Sequence, residues 1–250
     1  MKLLLINPNR TQAVTDAVLA AARAAAHPGT ELIAVTGRRG PAIIGSRAEN
    51  AIAQHEVLEL AAQHAGEVDA IVLGVSLDSA LWPCRELLDI PVIGMTEAGL
   101  LVGATLTGRI GVLTYGARMA PLYRELVEQH GMTARLAGVE AIDVTPEETF
   151  ATPGVVQARV LEGIDRLVRC DGAEAVLLAG AAMASMAAPL QPRAPVPLLD
   201  GVACAVALAQ VRHRLALPAA RAGSLAPILG REVTDVSAPL AALFAGGHAR

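Results

Sequence analysis

Short apolar runs alternate along the chain with longer segments in which apolar residues recur every three or four positions. The short runs have the length of buried β-strands, and the longer segments have the period of amphipathic helices. This alternation predicts a parallel sheet covered by helices. The predicted strands are Leu3–Ile6, Leu32–Val35, Ala70–Leu73, Val92–Ile93, Ile110–Thr114, Val139–Val144, Ala175–Leu178 and Val196–Leu199. The predicted helices are Thr11–Ala26, Glu49–Ala65, Ala117–His130, Val155–Cys170 and Val202–Leu215.

The same order of elements occurs twice. The segment DAIVLG at 69–74 is echoed by EAVLLA at 174–179, and the pair PV at 91–92 is echoed at 195–196. The repeat predicts an α/β fold of two pseudo-symmetric lobes, each with a parallel sheet flanked by helices. We expect residues 1–97 to form the first lobe, completed by the C-terminal segment 207–250, and residues 98–206 to form the second. Open parallel sheets bind ligands at the carboxyl ends of their strands, which predicts an active site in the crevice between the lobes.

Four predicted loops each join the end of a strand to the start of a helix. Backbone N–H groups at such positions can bind a carboxylate or an enolate oxygen, and hydroxyl and amide side chains can add hydrogen bonds. The predicted ligand is therefore a small anion or a polarised carbonyl compound. The four loops are Asn7–Thr11, Gly74–Ser79, Thr114–Arg118 and Gly180–Ser185.

Composition and charge exclude several classes of partner. The chain has 250 residues, of which 53% are hydrophobic and only 2% aromatic, so its core must consist of aliphatic side chains. The net charge is −4 and the longest basic run is the pair Arg38-Arg39, which argues against nucleic acid. The most apolar stretch, Ala175–Leu190, is shorter than the roughly 20 residues that span a bilayer. The N-terminal run resembles a strand and not a signal peptide, which predicts a cytoplasmic protein without membrane contact.

Cysteine and histidine positions give no indication of a metal site. The three cysteines, Cys84, Cys170 and Cys204, are far apart and contain no Cys-x-x-Cys pair. We interpret them as buried structural thiols in a reducing compartment. The six histidines contain no His-x-x-x-His pair and fall on predicted helices, helix ends or the C-terminal tail. We therefore expect no metal.

Four segments, in this order, are similar to the Asp/Glu/hydantoin racemase superfamily, and most of all to hydantoin racemases. They are Ile6–Asn9, Pro91–Ala98, Asp200–Ala203 and Arg221–Pro227, so the resemblance covers nearly the whole chain. It implies an isomerase that needs no cofactor and that acts as a homo-oligomer on a small carboxylate or cyclic ureide. It also implies two cysteines, one from each half, that exchange a proton at the carbon between them.

Both of those cysteines are replaced in this chain. The resemblance places the first at Val75, after the third strand, and the second at Gly180, within the segment LAGAAM at 178–183. Neither residue can carry a proton, so two-cysteine racemisation conflicts with the chemistry of the side chains present. Arylmalonate decarboxylase resembles the same superfamily and also lacks the first cysteine. Its oxyanion-binding loop and tyrosine are similar to Gly74–Leu77 and Thr114-Tyr115 here.

Three residues are candidates for catalysis: Ser76, Asp78 and Tyr115. Ser76 could donate a hydrogen bond to an oxyanion, act as a nucleophile, or satisfy its own backbone. Asp78 could replace the missing base or, like Ser79, cap the helix that contains Pro83. Tyr115 could present its hydroxyl to substrate or pack in the core.

The candidate substrate-binding residues are Asn9, Val75, Thr114, Gly180 and Ala181. Asn9 could instead form an Asx turn. Glu97 could contact substrate or favour the start of a helix, and Asp200 could cap the helix after the last strand. The segment Gly37–Gly45 could cover the crevice as a lid, or its flanking arginines could be solvated surface charge.

The sequence therefore predicts a cofactor-independent enzyme that acts at the carbon next to a carbonyl or carboxylate, through an enolate-like state. Two alternatives stay open. The first is a lyase, decarboxylase or hydrolase in which Ser76 or Asp78 replaces the thiol chemistry. The second is a small-molecule binding protein without catalytic activity.

Overall fold

Eight strands form two parallel four-stranded sheets of identical topology. A computed structural model describes residues 1–246 of the chain. The strand order is β2-β1-β3-β4 in the first sheet and β6-β5-β7-β8 in the second, so that each sheet repeats the other by an offset of four strands. The strands are β1 (Lys2–Asn7), β2 (Glu31–Thr36), β3 (Ala70–Leu73), β4 (Val92–Gly94), β5 (Ile110–Tyr115), β6 (Leu136–Ile142), β7 (Ala175–Leu178) and β8 (Leu198–Asp200).

Helices connect and cover the strands of both sheets. The helices are α1 (Gln12–Ala25), α2 (Arg47–His64), α3 (Leu81–Leu87), α4 (Met95–Gly103), α5 (Met119–Gln129), α6 (Pro146–Ala151), α7 (Pro153–Asp171), α8 (Ala187–Leu190), α9 (Gly201–Arg214) and α10 (Ala238–Ala245). The predicted α/β fold with two pseudo-symmetric lobes is confirmed, and each of the five predicted helices is present within a few residues of its predicted bounds. No helix within residues 1–246 is long and apolar enough to cross a bilayer.

The central strands have a continuous apolar sequence because helices cover both of their faces. Leu3, Leu4, Leu5 and Ile6 of β1 are all fully buried, and they divide between the two core clusters of the molecule. This is the pattern of a parallel sheet with no solvated face. The core is otherwise built mainly from alanine, leucine, valine and isoleucine, as the low aromatic content requires.

Two strands begin two or more residues away from their predicted starts. β8 begins at Leu198 and not at Val196, and its first pairing is with Val176 of β7. Pro197 precedes it and has no N–H group to donate to the ladder, although its carbonyl accepts from Val176. β6 begins at Leu136 instead of Val139, because it pairs with β5 from Ile110 onward across a register shift.

The proposed division of the chain into lobes places the last residues with the first lobe. Helix α10 packs against α2, and its Leu240 and Leu243 are buried in the cluster formed by the outer side of the first sheet. Helix α9 packs against α1 and α4 and contacts β3 and β4. These contacts support the proposal that 207–250 complete the first lobe, and residues 247–250 of that segment lie outside the described part.

Candidate active site

A cavity of about 270 Å³ lies between the two lobes, where the loops that follow the central strands face one another. The first lobe contributes residues from the loops after β1, β2 and β3, together with one residue of α1. The second contributes residues from β5, α5, the start of α6 and the loops after β5, β6 and β7. The lining residues are Asn9, Val14, Ile43, Ile44, Gly45, Val75 and Ser76 from the first lobe, and Thr114, Tyr115, Gly116, Arg118, Met119, Tyr123, Val144, Thr145, Pro146, Gly180, Ala181 and Ala182 from the second.

Seven of the eight candidate site residues lie in the wall of this cavity. They are Asn9, Val75, Ser76, Thr114, Tyr115, Gly180 and Ala181. The eighth, Asp78, is buried and is not among the lining residues. Part of the predicted lid also lies here, because Ile43, Ile44 and Gly45 close the cavity on the side of the first lobe.

Asn9 combines the two roles considered for it from sequence. Its Oδ1 accepts hydrogen bonds from the backbone N–H of Thr11 at 2.9 Å and from Asn7 Nδ2 at 3.0 Å. This is an Asx turn that shapes the end of β1. Its backbone N–H donates to Asn7 Oδ1, whereas its side-chain nitrogen Nδ2 donates to no acceptor within residues 1–246. The amide of Asn9 is therefore available to a ligand in the cavity.

Ser76 contacts Tyr123, which is not among the candidate residues predicted from the sequence. The Ser76 Oγ and the Tyr123 hydroxyl are 2.5 Å apart, and the nearby Thr114 side chain opposes the rise in the pKa of Tyr123 that burial causes. Ser76 follows β3 in the first lobe, whereas Tyr123 lies on α5 of the second. Burial raises the pKa of Tyr123 to about 12, so its phenol keeps its proton at neutral pH.

Asp78 lies outside the cavity wall and connects the loop after β3 to helices α4 and α5. Its carboxylate accepts from the backbone N–H groups of Thr96 at 3.0 Å and Glu97 at 2.8 Å, at the start of α4. It also lies 2.9 Å from His130 Nε2 at the end of α5. Burial raises the pKa of the Asp78 carboxyl, against the opposing effect of these hydrogen bonds.

The expectation that Asp78 or Ser79 caps the helix with Pro83 is wrong. Helix α3 begins after Ala80 without a side-chain cap, and Asp78 caps α4 instead. Asp78 has φ of 49°, which turns its side chain into this position, and aspartate tolerates that region better than most residues do. The prediction for Asp200 is confirmed, since its Oδ1 accepts from Val202 N and Ala203 N at the start of α9.

Helix α5 contacts the loop after β3 at two points. Tyr123 and His130 are seven residues apart, which is two helical turns, and so they lie on the same face of the helix. Tyr123 hydrogen-bonds Ser76 and His130 hydrogen-bonds Asp78, and these two partners are two residues apart in the opposite loop. From sequence, His130 was identified only as the end of a predicted helix. The seven-residue spacing of a tyrosine and a histidine on that helix was the signal that could have identified both.

The corresponding loop of the second lobe presents only Gly180, Ala181 and Ala182 to the cavity. A Cβ atom on Gly180 would lie 2.7 Å from Cε2 and 3.0 Å from Cδ2 of Tyr115. The Tyr115 hydroxyl is 2.7 Å from Thr149 Oγ1 of α6, which fixes the far end of the ring. The ring of Tyr115 thus occupies the space that a side chain at position 180 would need.

Backbone N–H groups on both sides of the cavity are free to bind an oxygen atom. Within residues 1–246, the N–H groups of Val75 and Ser76 donate to no protein acceptor, and neither do those of Gly180, Ala181 and Ala182. All five residues line the cavity. Together with the Ser76 hydroxyl, they can stabilise negative charge that develops on a carbonyl or carboxylate oxygen.

The described cavity wall contains none of the side chains that usually act as a general base. Within the described chain, the cavity wall includes no aspartate, glutamate, histidine, lysine or cysteine. Arg118, at the start of α5, is its one charged side chain and makes no ion pair within residues 1–246. The described residues also contain no group of three His, Cys, Asp or Glu side chains that could hold a metal ion.

The three cysteines lie away from the cavity. Cys84 and Cys204 are buried, and burial raises the pKa of each thiol to about 12. The expectation of a buried thiol is wrong for Cys170, which is exposed near the end of α7. Glu97, considered as a substrate contact, pairs with Arg85 in two hydrogen bonds and is also outside the cavity wall.

Comparison with known proteins agrees with the two-lobed architecture. The model of the family Asp/Glu/Hydantoin racemase matches residues 3–209. The chain belongs to this family. A hydantoin racemase of Pseudomonas sp. strain NS671 is 34% identical over 84% of this chain and 85% of its own length. A hydantoin racemase of Rhizobium meliloti is 33% identical over 84% of this chain and 88% of its own length.

Solved structures of other proteins superimpose on most of the chain. Allantoin racemase from Klebsiella pneumoniae has a TM-score of 0.89 and 33% identity, covering 97% of this chain and 98% of its own. A Gly74Cys mutant of arylmalonate decarboxylase has a TM-score of 0.59 at 15% identity, covering 86% of this chain and 94% of its own, and so shares the fold alone. Within the racemase family, this chain has a thiol at neither Val75 nor Gly180, the two positions to which the sequence resemblance assigns cysteines.

Proposed function

We propose that this family member is a cofactor-independent enzyme that acts at the carbon next to a carbonyl of a small cyclic ureide or carboxylate. The observation that carries the proposal is the set of hydrogen-bond donors at the cavity between the lobes. The Ser76 hydroxyl and the free N–H groups of Val75 and Ser76 lie in one wall. Donors of this kind stabilise the oxyanion of an enolate, and removing one such donor costs roughly 10²–10³ in rate.

Relatives support the choice of substrate class. Two hydantoin racemases match more than four fifths of the chain at one-third identity, and an allantoin racemase matches nearly all of it. Hydantoins and allantoin are cyclic ureides whose reacting carbon lies next to a carbonyl. Our first candidate reaction is therefore proton exchange, and hence racemisation, at that carbon.

A second candidate reaction follows from the absence of a base in the described cavity wall. Racemisation begins when a base removes a proton from carbon, and burial keeps both lining phenols protonated at neutral pH. A lyase or decarboxylase forms its carbanion by losing another group, commonly CO2, and needs only a proton donor afterwards. The lining of hydroxyl and N–H donors suits that reaction.

Incubation in heavy water separates these candidates. The purified protein is mixed with 5-substituted hydantoins, allantoin, amino acids and substituted malonic acids, and each mixture is followed by NMR and polarimetry. Deuterium at the reacting carbon with loss of optical rotation supports racemisation, whereas a new product supports a lyase, decarboxylase or hydrolase. The Ser76→Ala variant should slow whichever reaction is found by about a hundredfold, since it removes one oxyanion donor.

The same compounds test the alternative of a binding protein without activity. A ligand that raises the melting temperature but is neither exchanged nor converted would contradict the enzymatic proposal and support binding alone. The Ser76→Ala variant should then lose that stabilisation.

A further inference from the structure

Two phenols line the cavity, but their hydroxyl groups have different surroundings. The Tyr115 hydroxyl is held by Thr149, a residue that is not part of the cavity wall. The Tyr123 hydroxyl lies 2.5 Å from Ser76 Oγ, and both of these residues are in the wall. Tyr123 is therefore the phenol whose proton lies beside the oxyanion donors.

We propose that Tyr123 is the proton donor of this site and gives its phenol proton to the carbanion formed next to the substrate carbonyl. This assignment rests on the proposed function. The lone pair on carbon takes the proton, the O–H bond of Tyr123 breaks, and its electron pair stays on oxygen as a phenolate. The Ser76 hydroxyl hydrogen-bonds that phenolate, which regains a proton from water after the product leaves.

The placement of Tyr123 suits a donor better than a base. The phenol is almost fully buried, with 1% of the residue exposed, and the raised pKa keeps it protonated at neutral pH. The cavity wall holds no carboxylate or imidazole within the described chain that could donate instead. A phenol in this position can protonate a carbanion, which is far more basic, whichever of the two candidate reactions has formed that carbanion.

A contact at the end of helix α5 fixes the position of Tyr123 in the cavity wall. Two turns beyond Tyr123, His130 lies 2.9 Å from Asp78, in the same loop as Ser76. We therefore interpret Asp78 and His130 as positioning residues, which fix the distance between Tyr123 and Ser76 and do not touch the reacting atoms. The candidate catalytic role of Asp78 is thereby replaced with an indirect one.

The assignment is tested by measuring kcat and KM of variants that each lack one hydroxyl group. The substrate is the compound that the experiment in heavy water shows to be converted. Tyr123→Phe keeps the ring and should lower kcat by about a hundredfold, as expected for loss of a general acid, with KM changed by less than about threefold. Tyr115→Phe should lower kcat by less than tenfold. Thr105→Ala, an exposed hydroxyl outside the cavity, is the unchanged reference. A Tyr123→Phe enzyme with at least half of the original kcat would overturn the assignment.

NMR provides a second readout that needs no turnover. The chain has only two tyrosines, so ¹³C labelling of the phenol carbons gives two signals, which the two Tyr→Phe variants assign. The probe is parabanic acid, a planar cyclic ureide with a carbonyl in place of the reacting carbon. We expect its binding to move the Tyr123 signal much more than the Tyr115 signal.

The two readouts fail in different ways. If no compound is turned over but parabanic acid moves the Tyr123 signal, the proposed function fails and the location of the donor beside the ligand is supported. If turnover is found and parabanic acid moves only the Tyr115 signal, the proposed function stands and the assignment of Tyr123 is wrong.

Discussion

The loops after β3 and β7 follow equivalent strands in the two sheets and face the same cavity, but they differ in chemistry. The first carries Ser76, which meets Tyr123, and Asp78, which meets His130. The second presents Gly180 and two alanines to the cavity, and the ring of Tyr115 packs against Gly180. Repetition of a fold therefore places two loops symmetrically without giving them the same task, and we expect chemistry here to proceed from one side.

The largest expected effect comes from removing the anchor of the first loop. Asp78→Ala should destabilise the protein by about 3–5 kcal/mol, because it leaves the buried His130 side chain without its partner and two N–H groups at the start of α4 without an acceptor. Urea denaturation measures the loss. Asp16→Ala, an exposed carboxylate on α1, should change stability by less than about 0.5 kcal/mol. Equal effects of the two substitutions would show that the Asp78 contacts contribute little.

Adding a side chain to the second loop tests whether its glycine is required. Gly180→Ala places a Cβ atom 2.7 Å from Tyr115, and this overpacking should cost about 1–3 kcal/mol. Gly45→Ala adds the same methyl group to the opposite wall, where the nearest atom is 3.7 Å away, and should be nearly neutral. Replacing the ring with a smaller side chain by Tyr115→Leu should remove this clash, so that Gly180→Ala costs little stability in the Tyr115→Leu background. Additive effects in this double-mutant cycle would contradict a direct clash.

A smaller effect is expected from the one charged side chain in the described cavity wall. Arg118→Gln should weaken binding of hydantoin-5-acetic acid by about fivefold, the upper range for an exposed ion pair, and leave its neutral amide unaffected. Isothermal titration calorimetry compares the two ligands. Arg159→Gln, an exposed arginine of α7, serves as the control. Equal weakening of acid and amide would mean that Arg118 does not recognise a carboxylate.

The smallest effect is expected at the thiols. Iodoacetamide should modify Cys170 rapidly, because it is exposed, and should spare Cys84 and Cys204, whose pKa values burial raises to about 12. Mass spectrometry should find one modified thiol in the native protein, with activity retained. Complete inactivation that substrate prevents would instead place a cysteine in the active site.

Periodicity and repetition in the sequence predicted the order of strands and helices along each half, the crevice and most residues of its wall. This succeeded because the carboxyl ends of parallel strands must lie at one edge of a sheet, so that each loop can be placed from its neighbours in sequence. Asn9, Ser76 and Tyr115 were found in this way. The resemblance of motifs also assigns two cysteines to the positions of Val75 and Gly180, and their replacement stays a prediction from sequence.

Only the tertiary structure decided which side chains meet. Tyr123 and His130 are 47 and 52 positions from their partners Ser76 and Asp78, and no local pattern couples residues that far apart. Asp78 was assigned to the nearest helix in sequence, whereas the turn at its backbone directs it to α4. Sequence alone determined the two lobes and the position of the cavity between them. The approach of α5 to the first lobe determined its chemistry, because hydrogen bonds depend on distances between atoms and not on separation along the chain.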